Sequence, residues 1–359
     1  MTSPVEAHID LAALQYNLRR VRQTSPQAKI MAVIKANGYG HGMVQVARAL
    51  LAEVDAFAVA RLHEALELRR AGVQNIIAVL EGFQTTAELE QCAEHDLQPV
   101  IHQQFQIELL CQTALKQPLA VWLKIDSGMH RMGVAPETVK ECWQQLNSLD
   151  TVSTLCLMTH LASADDRRSE QTEQQLATFK QAVNGIAAET SIANSAGVLG
   201  WPQSHSDWVR PGIMLYGVSP FLGGWGEDEQ LKPVMTLTSR LIAINHFRKG
   251  DAIGYGASWS CPEDMPIGVV GCGYGDGYPR HVVPGSMVLV NGRRVPLVAR
   301  VSMDSICVDL RQQPDAEAGD PVILWGEGLP VEEVAEAAGT IPYELLCSVT
   351  SRVEFHYIT

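Results

Sequence analysis

The sequence predicts an α/β fold: an N-terminal (β/α)8 barrel of the TIM type over residues 1–228, followed by a mostly-β domain over 229–359. Three observations carry this. Short β-rich apolar runs alternate with amphipathic stretches through the first two-thirds of the chain, as βαβ units do. The runs number eight within a little over ~200 residues, the arithmetic of a closed barrel. Beyond residue 230, strand-like runs follow one another with a single helical segment among them.

In chain order the barrel runs are IMAVIK (30–35), AFAVA (56–60), IIAVLE (76–81), QPVIH (98–102), LAVWLKI (119–125), VSTLCLMTH (152–160), TSIANS (190–195) and WVRPGIMLYG (208–217). Met43, Val46, Ala47 and Leu50 fall at helical spacing between the first two, as do Val139, Cys142, Trp143 and Leu146 further on. Leu62 with Leu66, and Leu176 with Phe179 and Val183, repeat the pattern less completely. Alternation cannot by itself show closure, so a doubly wound open sheet is the alternative. In the second domain VMTLTSRLIAI, IGVVGCGYG, MVLV, RRVPLVARV, SICVDL and DPVILWG read as strands, and VEEVAEAAG as helix. Asn291-Gly292 between two of these runs is a hairpin signal. The boundary is expected in FLGGWGEDEQ (221–230), where glycines and acids interrupt the apolar runs.

Composition narrows the function. Lys and Arg total 27 against 40 Asp and Glu, a formal charge of −13. Nucleic acid or an anionic membrane would meet net repulsion, so neither is expected as a partner, although a local basic pocket for a small anion is compatible. No stretch approaches the ~20 apolar residues that span a bilayer, and the N-terminus does not read as a secretory signal. The 8 cysteines form no metal-ligand spacing, no metal is expected, and a reduced cytoplasmic protein is the simplest reading.

In a (β/α)8 barrel the chemistry lies where strands end. The proposed strands end at Lys35, Glu81, His102, Lys124 with Asp126, His160, Ser195 and Arg210. A strand-end lysine such as Lys35 in AVIKANGYGHG lies in a partly desolvated place, which lowers an amine pKa and suits a Schiff base with a carbonyl. Snorkelling is the plain alternative, but the Asn37-Gly38-Tyr39-Gly40 turn allows close backbone approach to a ligand. Asn194-Ser195-Ala196-Gly197 and Arg210-Pro211-Gly212-Ile213 follow the seventh and eighth runs, where barrels commonly bind phosphate.

VIKANGYGHG, LKIDSGMHRMG, MTHLASAD, ANSAG, WVRPGIMLYG, GYGAS, GYGDGYPR, ARVSMD and IPYE, in that order over nearly the whole chain, resemble the alanine racemase family. The resemblance implies a pyridoxal 5′-phosphate (PLP) enzyme of fold type III, a head-to-tail homodimer whose active sites are shared between subunits. It implies interconversion of L- and D-alanine by two-base proton transfer at Cα, with D-alanine destined for peptidoglycan or alanine drawn into catabolism. By the same resemblance Lys35 carries PLP; Tyr39, Ser195, Gly212, Ile213 and Tyr343 hold its phosphate; and His160 packs beside the ring.

Arg210 would meet the pyridine nitrogen, where a guanidinium cannot readily share the site with a pyridinium proton. Lys35 would serve one face of the substrate and Tyr255, from the partner, the other, with His160 and Arg210 compensating the high pKa of a phenol. Arg131 would meet the substrate carboxylate, with Met129 and the partner's Met303 alongside. Lys124 matches a lysine carbamylated in many members, and Asp304 lies where the family has an acid. Asp165, Arg280, Arg300 and Ile341 match an access corridor that narrows at Tyr255 and Tyr343. Two other readings compete: an amino-acid decarboxylase on a similar barrel, against which Tyr255 and the SMD segment speak, and a single-domain PLP-binding regulator, which would lack the residues after 230.

Overall fold

The structure, a computed structural model, describes residues 5–359. Strand β1 (Glu6–Asp10) stands apart from the barrel that follows it. The eight strands β2 (Lys29–Val33), β3 (Ala56–Val59), β4 (Ile76–Val79), β5 (Gln98–Ile101), β6 (Leu119–Lys124), β7 (Val152–Met158), β8 (Thr190–Ser191) and β9 (Trp208–Val209) form a closed barrel. All neighbours are parallel, and Lys29↔Trp208 with Ile30↔Val209 close the ring. The open-sheet alternative is thereby excluded.

Helix packing follows the expected faces in part. Met43, Val46, Ala47 and Leu50 are all buried on helix Met43–Leu50, each of the larger side chains contributing roughly 1.5–3 kcal/mol. On Gln171–Ala182 the buried positions are Thr172, Gln175, Phe179 and Ala182, so Leu176 and Val183 lie only at its margin. Runs seven and eight are shorter as strands than their apolar lengths suggest. Asn194 caps a helix at Ser195–Gly200, accepting from Gly197 N at 2.9 Å, and Ile213–Tyr216 winds into a 3-10 turn.

The second unit is built on β10 (Met235–Phe247), β11 (Ala252–Ile253), β12 (Trp259–Ser260), β13 (Met265–Val270), β14 (Met287–Val290), β15 (Arg293–Val298), β16 (Ile306–Asp309), β17 (Pro321–Trp325) and β18 (Glu354–Ile358). Its main sheet runs β13-β16-β15-β14-β17-β10-β1-β18, and a further β13–β10 pairing brings the order back on itself. Asn291 and Gly292 both take positive φ, 50° and 73°, as a two-residue hairpin demands. Helix Val331–Ala338 is present as expected, and a second helix, Pro342–Ser348, was not foreseen.

The division between units differs from a single cut after residue 228. Described residues up to Leu14, with Tyr216–Ser219 and Gly223–Thr359, form the β unit, while Gln15–Leu215 and Pro220–Leu222 form the barrel unit. The reason is β1, whose backbone pairs antiparallel with β10 and parallel with β18. Pairing partners more than 200 residues away cannot be read from a five-residue segment. Among the described residues no helix is long and apolar enough to cross a membrane.

Candidate active site

Lys35 follows β2 after a single residue, Ile34, and opens an unusual turn. Ala36, Asn37, Gly38 and Tyr39 all take positive φ, between 51° and 65°, a left-handed helical turn. The three non-glycine residues cost about 1–2 kcal/mol each in this conformation. Strain of this kind persists only where surrounding bonds over-determine it. Here Gly38 N reaches Ile34 O at 2.9 Å, Gly42 N reaches Asn37 O at 2.9 Å, and the Asn37 side chain accepts from Met43 N at 2.9 Å. His41, fully buried, faces the carbonyls of Tyr39 and Gly38 through Nδ1 at 2.9 and 3.2 Å. Burial pushes its pKa down to about 4, so it is neutral at pH 7.

Tyr39 reaches across to the segment after β9. A Cβ on Gly212 would lie 2.6 Å from the Tyr39 hydroxyl, so only glycine permits that approach. Ser195 Oγ accepts from Gly212 N at 2.9 Å and from Met214 N at 3.3 Å. Two backbone donors and two hydroxyl-bearing side chains, Tyr39 and Ser195, thus converge from the loops after β2, β8 and β9. Ile213 lies between the two donors and is buried. These are anion-binding materials.

Several charged groups near the strand ends act on one another. Arg210 is buried and donates to Ser191 Oγ at 2.6 Å, to the Thr159 carbonyl, and to Ile192 O at 3.3 Å. Burial lowers its pKa to about 10, which leaves it charged at neutral pH. Its Nη2 also faces His160 Nδ1 at 3.4 Å. His160 is held well below the ordinary histidine range, first by desolvation and then by the positive charges of Arg210, Lys124, Arg131 and Lys35. It is therefore neutral, with Nε2 carrying the proton if Nδ1 accepts from Arg210. Desolvation first, and then the surrounding cations, exclude an imidazolium at this position.

Lys124, at the end of β6, has its amine lowered to about 8, by burial and then by Arg210 and Arg131. Asp126 beyond it accepts through Oδ1 from Gly128 N and Met129 N at 3.0 Å and from His130 N at 2.9 Å. Burial opposes its charge, but these donors outweigh it and leave the carboxyl below its usual range. The turn so held carries Met129 and Arg131. Arg131 is exposed and makes no hydrogen bond or ion pair among the described residues. Asp165, in the loop after β7, is half-buried, its carbonyl accepting from Leu222 N at 3.2 Å.

The remaining candidates belong to the β unit. Tyr255 lies in the short turn Tyr255–Ala257 between glycines of φ 73° and 72°, and is 69% exposed, far more than an aromatic core residue would be. Met303 and Ile341 are likewise exposed, at 51% and 56%. Arg280 and Arg300 are exposed, and Tyr343 is half-buried in the first turn of helix Pro342–Ser348. Asp304 pairs with Arg352 at 2.7 Å, and Arg352 also reaches buried Asp276 at 3.1 Å. That pairing ties SMD to GYGDG, and the Tyr274–Gly275 backbone donates to Ser302 O and Met303 O at 3.0 and 2.8 Å.

The structure thus brings Lys35, Lys124, Arg131, His160 and Arg210 into one electrostatic neighbourhood, and Tyr39, Ser195 and Gly212 into one hydrogen-bonded cluster. Sequence reading missed the groups that hold these residues in place: Glu64, Gln171 and Gln175. Gln175 is buried, donates to His160 O at 3.1 Å and accepts from Ala162 N at 2.8 Å. Gln171 donates to Gly128 O at 3.2 Å. The four-residue spacing of the two glutamines on one helix was the available signal, but polar residues at that spacing normally read as a solvated face.

Comparison with known proteins identifies the family. Residues 9–220 match the alanine racemase N-terminal domain and 234–357 the C-terminal domain. The chain is 55% identical to the alanine racemase of Nitrosococcus oceani over 352 residues, covering 97% of this chain and 98% of that protein. It is 51% identical to that of Halorhodospira halophila over 354 residues, covering 98% and 97%. A crystal structure of the biosynthetic alanine racemase from Pseudomonas aeruginosa superposes with a TM-score of 0.97 at 44% identity, both chains covered completely. On sequence across both domains and on fold alike, the chain belongs to the alanine racemase family.

Proposed function

We propose that this protein is an amino-acid racemase that interconverts L- and D-alanine with PLP as cofactor. The observation that carries the reading is the set of Lys35, Lys124, Arg131 and Arg210 whose charges act together on His160, in a chain of formal charge −13. So concentrated a positive field at the ends of barrel strands suits a phosphorylated cofactor and a substrate carboxylate. The residues present fit PLP: the Tyr39 hydroxyl fills the space a Gly212 side chain would need, and the Ser195 hydroxyl with two backbone donors suits its phosphate.

When bound, PLP supplies an aldehyde for amine capture and a conjugated ring that withdraws electrons from Cα. Lys35 is assigned to hold it. Tyr39, Ser195, Gly212, Ile213 and Tyr343 are assigned to its phosphate, His160 to the ring face and Arg210 to the ring nitrogen. Arg210 donates and does not give up its proton, so a protonated ring nitrogen is disfavoured beside it. Placed there, Arg210 would keep the group's electron-withdrawing power modest, which disfavours side reactions such as transamination.

Proton exchange with retention of the amine needs a carrier on each face of Cα. Lys35 takes one face. Tyr255 of the partner subunit takes the other, which gives the exposed tyrosine of each chain a use and makes the working unit a homodimer. Arg131 receives the substrate carboxylate beside Met129, and Met303 of the partner subunit borders the same space. Lys124, with an amine near 8, holds enough neutral form to capture carbon dioxide as a carbamate, an anion that would orient Arg131. Asp165, Arg280, Arg300 and Ile341 are assigned to the access corridor. In this division of labour the barrel expected over 1–228 holds the cofactor, and 229–359 supplies the second base to a neighbour in the cytoplasm.

The test is purified protein supplied with PLP and L-alanine in deuterated water, followed by chiral separation and mass measurement. D-alanine carrying one deuterium is the expected product. Optically unchanged, unlabelled alanine sinks the reading.

A further inference from the structure

We infer that Glu64 is a positioning residue for Lys35, the clamp that keeps the left-handed turn after β2 in place; this rests on the assignment of Lys35 to PLP. Glu64 stands in the first turn of helix Leu62–Arg70 and is buried. Its Oε2 accepts from Ala60 N at 2.8 Å and from Arg61 N at 3.0 Å, capping its own helix. Its Oε1 accepts from Ala36 N at 2.7 Å, across 28 residues of sequence. Ala36 is the residue after Lys35 and the first of the left-handed turn.

Both carboxylate oxygens are therefore committed, one to the helix and one to the turn. A turn with three non-glycine residues in the left-handed region relaxes unless its first N–H is held. A carboxylate acceptor provides a stronger hold than a neutral one. Glutamine at this position has one acceptor oxygen, so it can serve the helix or the turn but not both.

The barrel contains its own control. Gln106 holds the equivalent place on helix Gln104–Gln112, is fully buried, and accepts from His102 N at 2.8 Å and Gln103 N at 3.1 Å. It donates to Phe83 O at 3.0 Å and makes no bond to the Lys35 turn. Removing it tests loss of a buried cap without loss of the clamp.

The experiment titrates PLP into wild type, Glu64→Gln, Glu64→Asp and Gln106→Ala, following the visible absorption of the bound cofactor, with thermal unfolding of each apoprotein measured alongside. Glu64→Gln is expected to weaken PLP on the order of tenfold, the scale of one lost bond to a charged acceptor. Glu64→Asp, which can still cap the helix but is too short to reach Ala36 as well, is expected to fold and show the same weakening. Gln106→Ala is expected to lower the unfolding temperature with PLP affinity within about twofold of wild type. Wild-type affinity in both Glu64 variants overturns the inference, as does equal weakening in Gln106→Ala. A wild-type protein that takes up no PLP overturns the functional reading and this inference together, and that trace alone tells the two failures apart.

Discussion

Nη2 of Arg210 faces Nδ1 of His160 at 3.4 Å, and the imidazole also feels the charges of Lys124, Arg131 and Lys35. Desolvation first, and then the Arg210 cation beside it, leave neutral histidine as the stable form. In Arg210→Gln the nearest cation is gone, and the His160 pKa is expected to rise, though burial still holds it below the ordinary histidine range. Histidine NMR titration of the two proteins checks this. An unchanged His160 titration would mean that burial alone sets it.

Lys35→Ala is expected to remove the visible absorption of the cofactor and the racemase activity together, the loss of one base alone accounting for roughly 10²–10⁴-fold. Tyr255→Phe should retain the cofactor and separate the two directions. Deuterium exchange from one enantiomer should fall by a similar factor while exchange from the other changes much less. Equal slowing from both removes the assignment of opposite faces.

Gly212→Ala places a methyl 2.6 Å from the Tyr39 hydroxyl and should destabilise the fold by about 1–3 kcal/mol, an overpacked contact. Tyr39→Phe in the same chain should recover part of that loss, since the nearest clash is with the hydroxyl. Denaturant unfolding of the single and double variants reads the coupling. Strict additivity would show that the approach of these residues carries no strain.

Stability should decline on mild acidification. His41 ordinarily titrates near 6.5 but in the fold near 4, so below pH 6.5 the unfolded chain binds a proton that the native chain refuses. The contribution is complete above 6.5 and is lost as pH falls toward 4, about 3 kcal/mol across that window. Unfolding free energies at stepped pH for wild type and His41→Asn check it; the variant's curve should be flatter. Identical slopes would assign the acid sensitivity elsewhere.

Lys124 should accept carbon dioxide increasingly as pH rises through about 8, where its amine loses its proton. Labelled bicarbonate and carbon NMR would reveal a carbamate signal that Lys124→Met lacks. A signal that survives the substitution places the carbamate on another residue.

Much of the barrel was legible because a strand buried on both faces must be apolar along its whole length. AFAVA and LAVWLKI therefore stand out without any knowledge of their neighbours. The amphipathic faces were legible where burial is purely apolar, as on Met43–Leu50, and misread where a buried position is polar, as at Gln175. The residues proposed for the chemistry stood out in the sequence through their resemblance to a family, and those of the barrel follow the order of strand ends. β1 and β18 did not stand out, because five-residue segments that alternate polar with apolar residues declare nothing until their partners are known.

Sequence alone determined the eightfold alternation, the second β domain, the family, and the identity of the residues offered for chemistry. Tertiary structure decided what those residues are. Closure of the ring buries His160 and Lys124 and gathers around them cations separated by up to 175 positions, which together make His160 neutral and Lys124 a weak base. Glu64 became a clamp on Lys35 only when strand pairing set β3 beside β2. The physical reason is common to all of these: charge coupling, desolvation and hydrogen-bond commitment depend on distance in space, and one-dimensional spacing fixes that distance only within a turn or a helix.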